Sequence, residues 1–367
     1  MKLHLPVRLF RAVIALMLAA PSALFAAYTA PTAITIPSGY SQVTVDALAD
    51  IIPYGSTAKD VAFRIDAASL ADGLLTIDGL TFALMTSSAD SWYFTSYSAS
   101  SLASLTFSEA TTRLFYVASG ESLQFTALQH LLFDGNTYSS TSSSAYGGAI
   151  YGGSSSTITL SGNESVSFSW NTASTTGSYS DARGGAIYGS STITLSGNGS
   201  VSFSGNTAST TGKSSSAYGG AIYGYIDSTI TLSGNGSVTF SGNTASGICA
   251  YGGAIDGDSI TLSGNESVSF SGNTARGSSF AEGGAIYGAS DNTITLSGNE
   301  SVTFSGNTAS SSYDYAEGGA IYGGSHSTIT LSENDSVTFS GNTASTSGSS
   351  RAGYGGAIYG GGVATSP

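Results

Sequence analysis

GGAIYG, residues 147–152, and TITLSGNESVSFSWNTAS, residues 157–174, decide the fold between them. The first stretch recurs at 184, 219, 283, 318 and 355, and as GGAIDG at 252, with spacings of 37, 35, 33, 31, 35 and 37 residues. The second holds a partner motif, FxxN, that runs in antiphase. It reads FDGN at 133, FSWN at 168 and FSGN at 203, 240, 270, 304 and 339. Self-similarity at a period of 20–50 residues marks a solenoid, a propeller or an array. A catalytic site is not written seven times in one chain, so the motif is first a building unit.

Within a repeat the constant parts alternate apolar and polar residues. Ile158 and Leu160 fall on one face, with Thr157 and Thr159 on the other; Val166 and Phe168 repeat the pattern. Period-two alternation means strands. The intervening SGN is a turn signal, because Gly and Asn accept left-handed backbone. Each repeat thus offers three short strands, GGAIYG, TITL and SVSF, none of which covers its own apolar face. Stacking strand on strand at about 4.8 Å covers that face with the next repeat. The pattern predicts an all-β parallel β-helix of about seven ~35-residue repeats. A propeller would require four antiparallel strands per blade. One turn per repeat with long loops at one corner is the expected arrangement; two tighter turns per repeat stays open.

This reading gives each motif residue a structural role. The glycine pairs Gly147–Gly148, Gly184–Gly185, Gly219–Gly220, Gly252–Gly253, Gly283–Gly284 and Gly318–Gly319 permit a bend or a close backbone approach at a corner. Ile150, Ile187, Ile222, Ile255, Ile286 and Ile321 form one interior column, which Ile358 continues. Phe168, Phe203, Phe240, Phe270, Phe304 and Phe339 point inward. Asn171, Asn206, Asn243, Asn273, Asn307 and Asn342 stand at a corner, where each amide can bond to the asparagine of the next turn.

Outside the repeats, residues 1–26 read as a secretory signal: Lys2, His4, Arg8 and Arg11 precede the apolar run Ala12–Ala20, and Pro21 breaks it. That run falls short of the ~20 residues that a membrane span requires. Removing Lys2, Arg8 and Arg11 takes the formal net charge from −13 to −16. The remaining cations are scattered, which excludes a nucleic-acid partner. Residues 27–125 are expected to form a β-rich cap with one or two irregular turns, an independent β-sandwich being the alternative. There, LTF (105–107) and SLQF (122–125) resemble degenerate SVSF strands. The repeats fill 126–360, and 361–367 are a tail or a truncated end. The one cysteine, Cys249, rules out an internal disulfide.

Chemistry is sparsely written. Asp256 and Asp258 make a local carboxylate pair, with Asp256 where the other repeats have tyrosine; a loop variant explains it as well. His130 and His326 lack ligand spacing. No catalytic residue, metal site or cofactor is assigned. The residue after each turn asparagine is Glu164, Gly199, Gly236, Glu266, Glu300 and Asp335. The last three could stack as a stripe bridged by calcium, or be polar turn positions. The same turns spell N-x-S at Asn163, Asn198, Asn235, Asn265, Asn299 and Asn334, a glycan acceptor pattern that a turn role also explains. Tyr151, Tyr188, Tyr223, Tyr287, Tyr322 and Tyr359 follow the inward isoleucines and face the other way. Such a ladder could hold glycan or protein ligands or simply cover the sheet.

GGAI alternating with FxxN resembles the passenger repeat of the chlamydial polymorphic membrane proteins, over residues 133 to 360. The resemblance implies a right-handed, secreted β-helix displayed on the outer membrane or cell surface of a Gram-negative bacterium. Family members usually continue into a C-terminal translocator barrel. This chain stops within a repeat at GGAIYGGGVATSP, so a separate or missing outer-membrane anchor is expected. The function expected is that of an autotransporter-like adhesin or structural spacer, with a host-cell or extracellular protein or glycan as ligand and no transmembrane helix in the mature chain. The alternatives are a carbohydrate-active β-helix enzyme and an inactive repeat fragment of a larger surface protein.

Overall fold

The computed structural model describes residues 102–111, 114–348 and 352–360, with five strands upstream: Thr32–Ile34, Asp60–Ile65, Leu74–Asp78, Phe82–Leu84 and Ser91–Ser96. The expected signal and tail lie outside the described residues. The described elements are all strands, and no helix among them is long and apolar enough to cross a membrane. Pairing is parallel and joins each residue to its counterpart one repeat on: Ile150 to Ile187, Val166 to Val201, Ile187 to Ile222. One repeat is therefore one turn of a parallel β-solenoid.

Three sheets wrap the core. The SVSF strands stack as a nine-stranded sheet running from Leu74–Asp78 to Ser336–Ser340. The IYG and TITL strands form two columns of a seventeen-stranded sheet, merged where Ile150–Ser161 and Ile187–Ser196 run without a break. A third, twelve-stranded sheet was not legible beforehand. It is built from TAST segments such as Thr172–Thr175 and from the dipeptide before each glycine pair, such as Ala182–Arg183. Its inward residues are the fully buried alanines 173, 208, 245, 275 and 309. Alanine among Ser and Thr gives too weak an apolar contrast to reveal the alternation.

The interior is layered by residue type. Phe133, Phe168, Phe203, Phe240, Phe270, Phe304 and Phe339 stack ring on ring at 4.4–4.9 Å, with planes within 6° of parallel. Parallel in-register pairing imposes that geometry, since identical residues one turn apart are separated by one strand spacing. The GGAI isoleucines from Ile150 to Ile321 are fully buried, while Ile358, in the last turn, is partly covered.

Two asparagine ladders run along the corners. In the FxxN ladder each side-chain amide donates to the next asparagine's Oδ1 (Asn171 to Asn206, Asn206 to Asn243, Asn243 to Asn273, each 2.9 Å). It also donates to a phenylalanine carbonyl one turn back, as Asn206 does to Phe168 at 2.9 Å. Each asparagine backbone N–H donates to the same Oδ1 as the amide. The sequence pattern presents the second ladder only as turns. Asn163, Asn198, Asn235, Asn265 and Asn299 repeat the bond pattern and are buried. Buried amides already engaged in this way are not glycan acceptors, so those N-x-S matches are structural. In both corners the preceding glycine takes the left-handed backbone, as Gly197 and Gly205 do at φ 62° and 63°.

Trp170 and Glu333 occupy that left-handed position without being glycine, at φ 55° and 56°. Trp170 is 67% exposed, so little burial offsets its backbone cost. Trp170→Gly is expected to raise stability by about 0.5–1 kcal/mol, the left-handed penalty less the added unfolded-state entropy. A shift of the urea midpoint to higher concentration checks it.

Upstream of the first GGAIYG the columns continue on degenerate sequence. Phe115–Val117 pairs with Ile150–Gly152, and LTF (105–107) lies in the SVSF column against Leu131–Phe133. SLQF (122–125), expected to resemble an SVSF strand as well, instead pairs with residues 157–160 of the TITL column. Both tetrapeptides alternate identically, and alternation names a face without naming the sheet. Larger rings fill this end: Phe107, Phe115, Phe125 and Phe133 pack mostly edge to face at 5.1–6.2 Å.

Candidate functional site

The glycine pair at each corner brings two outward-facing columns together. The first glycine adopts φ near 60°, and a β-carbon on the second would collide with the next turn's backbone. On one side of the corner stand Tyr116, Tyr151, Tyr188, Tyr223, Asp256, Tyr287, Tyr322 and Tyr359 in register. On the other stand the residues just before each glycine pair: Tyr146, Arg183, Tyr218, Tyr251, Glu282, Glu317 and Tyr354. Sequence reading identified the first column from Tyr151 to Tyr359 but not its extension to Tyr116. It missed the second, although an aromatic or charged residue before every GG was a visible signal.

Within the first column the rings stack face to face: Tyr116 on Tyr151 at 5.1 Å, Tyr151 on Tyr188 at 5.0 Å, Tyr287 on Tyr322 at 5.2 Å. Across the corner, Tyr146 meets Tyr188 at 4.9 Å, Tyr218 meets Tyr223 at 5.6 Å and Tyr251 meets Tyr287 at 4.9 Å. The result is an aromatic strip along the solenoid axis. Tyr188 and Tyr223 are buried within it, so the ladder covers the sheet as well as presenting ring edges.

Four charged residues enter the strip: Arg183, Asp256, Glu282 and Glu317. Arg183 lies 5.1–5.7 Å from the ring centroids of Tyr146, Tyr218, Tyr223 and Tyr225, and pairs with Asp181 at 2.8 Å. Asp256 breaks the tyrosine ladder. It is 4% exposed and its Oδ2 has no hydrogen-bond partner. Burial first, and then Asp258, hold its carboxyl well above the ordinary carboxylate range. Glu282 is pushed up to about 7 by burial and by Glu317, against a hydrogen bond with Tyr322 that favours its charge.

A pH dependence follows for Glu282. Its folded form keeps the proton to about pH 7, whereas its ordinary value is 4.5. The stability it contributes is complete below about pH 4.5 and is lost as pH rises through about 7. Glu282→Gln should flatten the stability profile over that window and raise stability at pH 8 by roughly 1–2 kcal/mol. Urea titrations at several pH values read this out, and a profile unchanged by the substitution would refute it.

The remaining candidates separate. Asp258 braces the neighbouring turns: it accepts from Asp227 N at 2.6 Å and from Asn292 Nδ2 at 3.2 Å, so only Asp256 belongs to the strip. His130 bonds to Ser165 at 2.7 Å, and His326 lies exposed 3.7 Å from Asp291. Glu266, Glu300 and Asp335 stand exposed in successive turns. Among the described residues no group of three or more His, Cys, Asp or Glu is arranged to hold a metal ion.

Comparison with known families identifies the Chlamydia polymorphic membrane protein repeat at residues 301–324 and 336–361. These spans hold FxxN followed by GGAI in the last two repeats, and the five earlier repeats share that order. No curated protein and no solved structure matches the chain. The last two turns are thus similar to polymorphic membrane protein repeats, and in this chain the matched segments form turns of the solenoid.

Proposed function

We propose that the chain is a surface-displayed β-solenoid passenger that acts as an adhesin, holding a protein or glycan ligand along its tyrosine strip. The observation that carries this is the strip itself. A protein needing only mechanical length would be served by the buried Phe, Ile and Asn columns, yet it lines one outer corner with stacked rings from Tyr116 to Tyr359. Aromatic edges with hydroxyl groups suit ligands that offer both apolar and polar contacts. The repeat family supports an outer-membrane or surface location.

The test replaces Tyr151, Tyr287 and Tyr322 with serine together. These rings are only partly buried, so the solenoid is expected to persist, as far-UV circular dichroism can verify. Binding to host cells or to a glycan array is expected to fall at least about tenfold, the loss of roughly 1.4 kcal/mol. Undiminished binding by the folded triple variant would overturn the assignment of the strip, and absence of binding by the parent chain would leave the structural spacer as the better reading.

A further inference from the structure

Every turn from Tyr116 to Tyr359 places a tyrosine in the ladder except one, and the exception is an acid. Asp256 pairs in register with Tyr223 on one side and Tyr287 on the other. Its side chain is shorter than the ring it replaces, so the two flanking rings are not joined by a stacked third. Tyr251 leans over this break, tilted 50° to Tyr287 at 4.9 Å, and stacks on Tyr218 at 5.0 Å. The carboxyl lies between the register positions of Tyr223 and Tyr287 and acts electrostatically on both and on Tyr218, with Oδ2 buried and unpartnered. A buried acceptor left unpaired is destabilising. Deeper burial with no compensating bond is the arrangement of a group awaiting a partner.

The same strip shows what kind of partner it accepts. Two turns earlier in the opposite column, Arg183 sets a guanidinium among four tyrosine rings, within 5.7 Å of each centroid, with Asp181 as its counterion. Rings and a carboxylate around a cation is the combination that cation–π recognition uses. At Asp256 the rings and the acid are present, while Arg183, the cation of the chain that acts on it, is paired with Asp181. Among the groups acting on Asp256, Asp258 and, above about pH 7, Glu282 also favour a positive guest, and Arg183 opposes one.

We infer that the break in the tyrosine ladder at Asp256 is a binding subsite for an alkylammonium group, seated between Tyr223, Tyr251 and Tyr287 with Asp256 as its counterion. The inference rests on the adhesin reading and names one contact of its ligand: a lysine side chain of a partner protein, or a free polyamine. Tyr251, partly exposed, moves aside to admit it. The bound ammonium keeps its proton, and where Asp256 is protonated it gives its own proton to solvent, so binding is accompanied by proton release. Binding should accordingly tighten as pH rises.

The probes are Nα-acetyl-lysine amide and cadaverine, titrated into the intact chain by calorimetry in two buffers of different ionisation enthalpy. The expected result is weak saturable binding with proton release, weakened at least about tenfold in Asp256→Asn and lost in Asp256→Tyr, which restores the ladder. Asp256→Asn keeps the size of the side chain and decides the matter if the tyrosine variant misfolds. Equal affinities point to a polypeptide lysine or a polyamine alike; a tenfold preference for one probe identifies the source. No saturation by either probe up to about 100 mM, or unchanged affinity in Asp256→Asn, overturns the subsite. Because the probes need no cells, a chain that binds them without adhering keeps the subsite and loses the adhesin reading. Adhesion unaltered in Asp256→Tyr has the opposite meaning.

Discussion

Gly220→Ala is expected to destroy the middle of the solenoid. A β-carbon at this position would overlap the carbonyl oxygen of Gly253 in the next turn and lie 2.6 Å from Thr244 N. All the atoms in its way are backbone, so no rotamer change relieves the clash. The turns would have to part, breaking the bonds from Gly220 N to Gly252 O at 3.0 Å and from Ala221 N to Ala254 O at 2.9 Å. The expected cost exceeds about 4 kcal/mol, in the range reserved for named structural failures. Gly242→Ala is the natural comparison. It sits at φ 61° with nothing within 4 Å of the added carbon, and should lose only about 1–2 kcal/mol of left-handed strain. Urea denaturation followed by circular dichroism distinguishes them. If Gly220→Ala came within 1 kcal/mol of the parent chain, the close approach of successive turns would be wrong.

Asn243→Ala is expected to have the second largest effect, through unpaired groups in place of overlap. Asn243 Oδ1 accepts from both the backbone N–H and the side-chain amide of Asn206, at 3.0 and 2.9 Å. Its own amide donates to Phe203 O at 2.9 Å. Truncation orphans these three buried groups, at about 1–3 kcal/mol each, for a loss of roughly 3–5 kcal/mol after local relaxation. In a solenoid each turn contacts only its neighbours, so the damage should be local before it is global. Hydrogen exchange should show lost protection in the turns around Phe203 and Phe240, with the N-terminal turns near Phe133 spared. Uniform loss along the chain would contradict that one-dimensional picture.

The cost of altering either residue explains why the motifs repeat. GGAI and FxxN are corner pieces: one permits turns to touch, and the other satisfies the polar groups that touching buries. GGAIDG at 252 differs in the one letter that faces away from the core, where a substitution leaves the stacking of Ile255 between Ile222 and Ile286 intact. Variation there changes the tyrosine strip and leaves the interior isoleucine column in register.

Period, strand faces and interior columns were determined by the sequence alone. The alternation of Ile158 with Thr159 assigns faces, and the repeat length brings like residues into register, so Phe on Phe and Asn on Asn follow from parallel pairing. Tertiary structure decided what lies beside what across a corner. The left-handed glycine at each GG folds the preceding residue toward the tyrosine that follows, and no alternation pattern carries that information. It gathered Arg183, Tyr218, Tyr251 and Glu282 beside the ladder and buried Asp256 among them. It also assigned TAST to a third sheet and SLQF to the TITL column, since period two states that a face is apolar and leaves open which wall of the solenoid it faces.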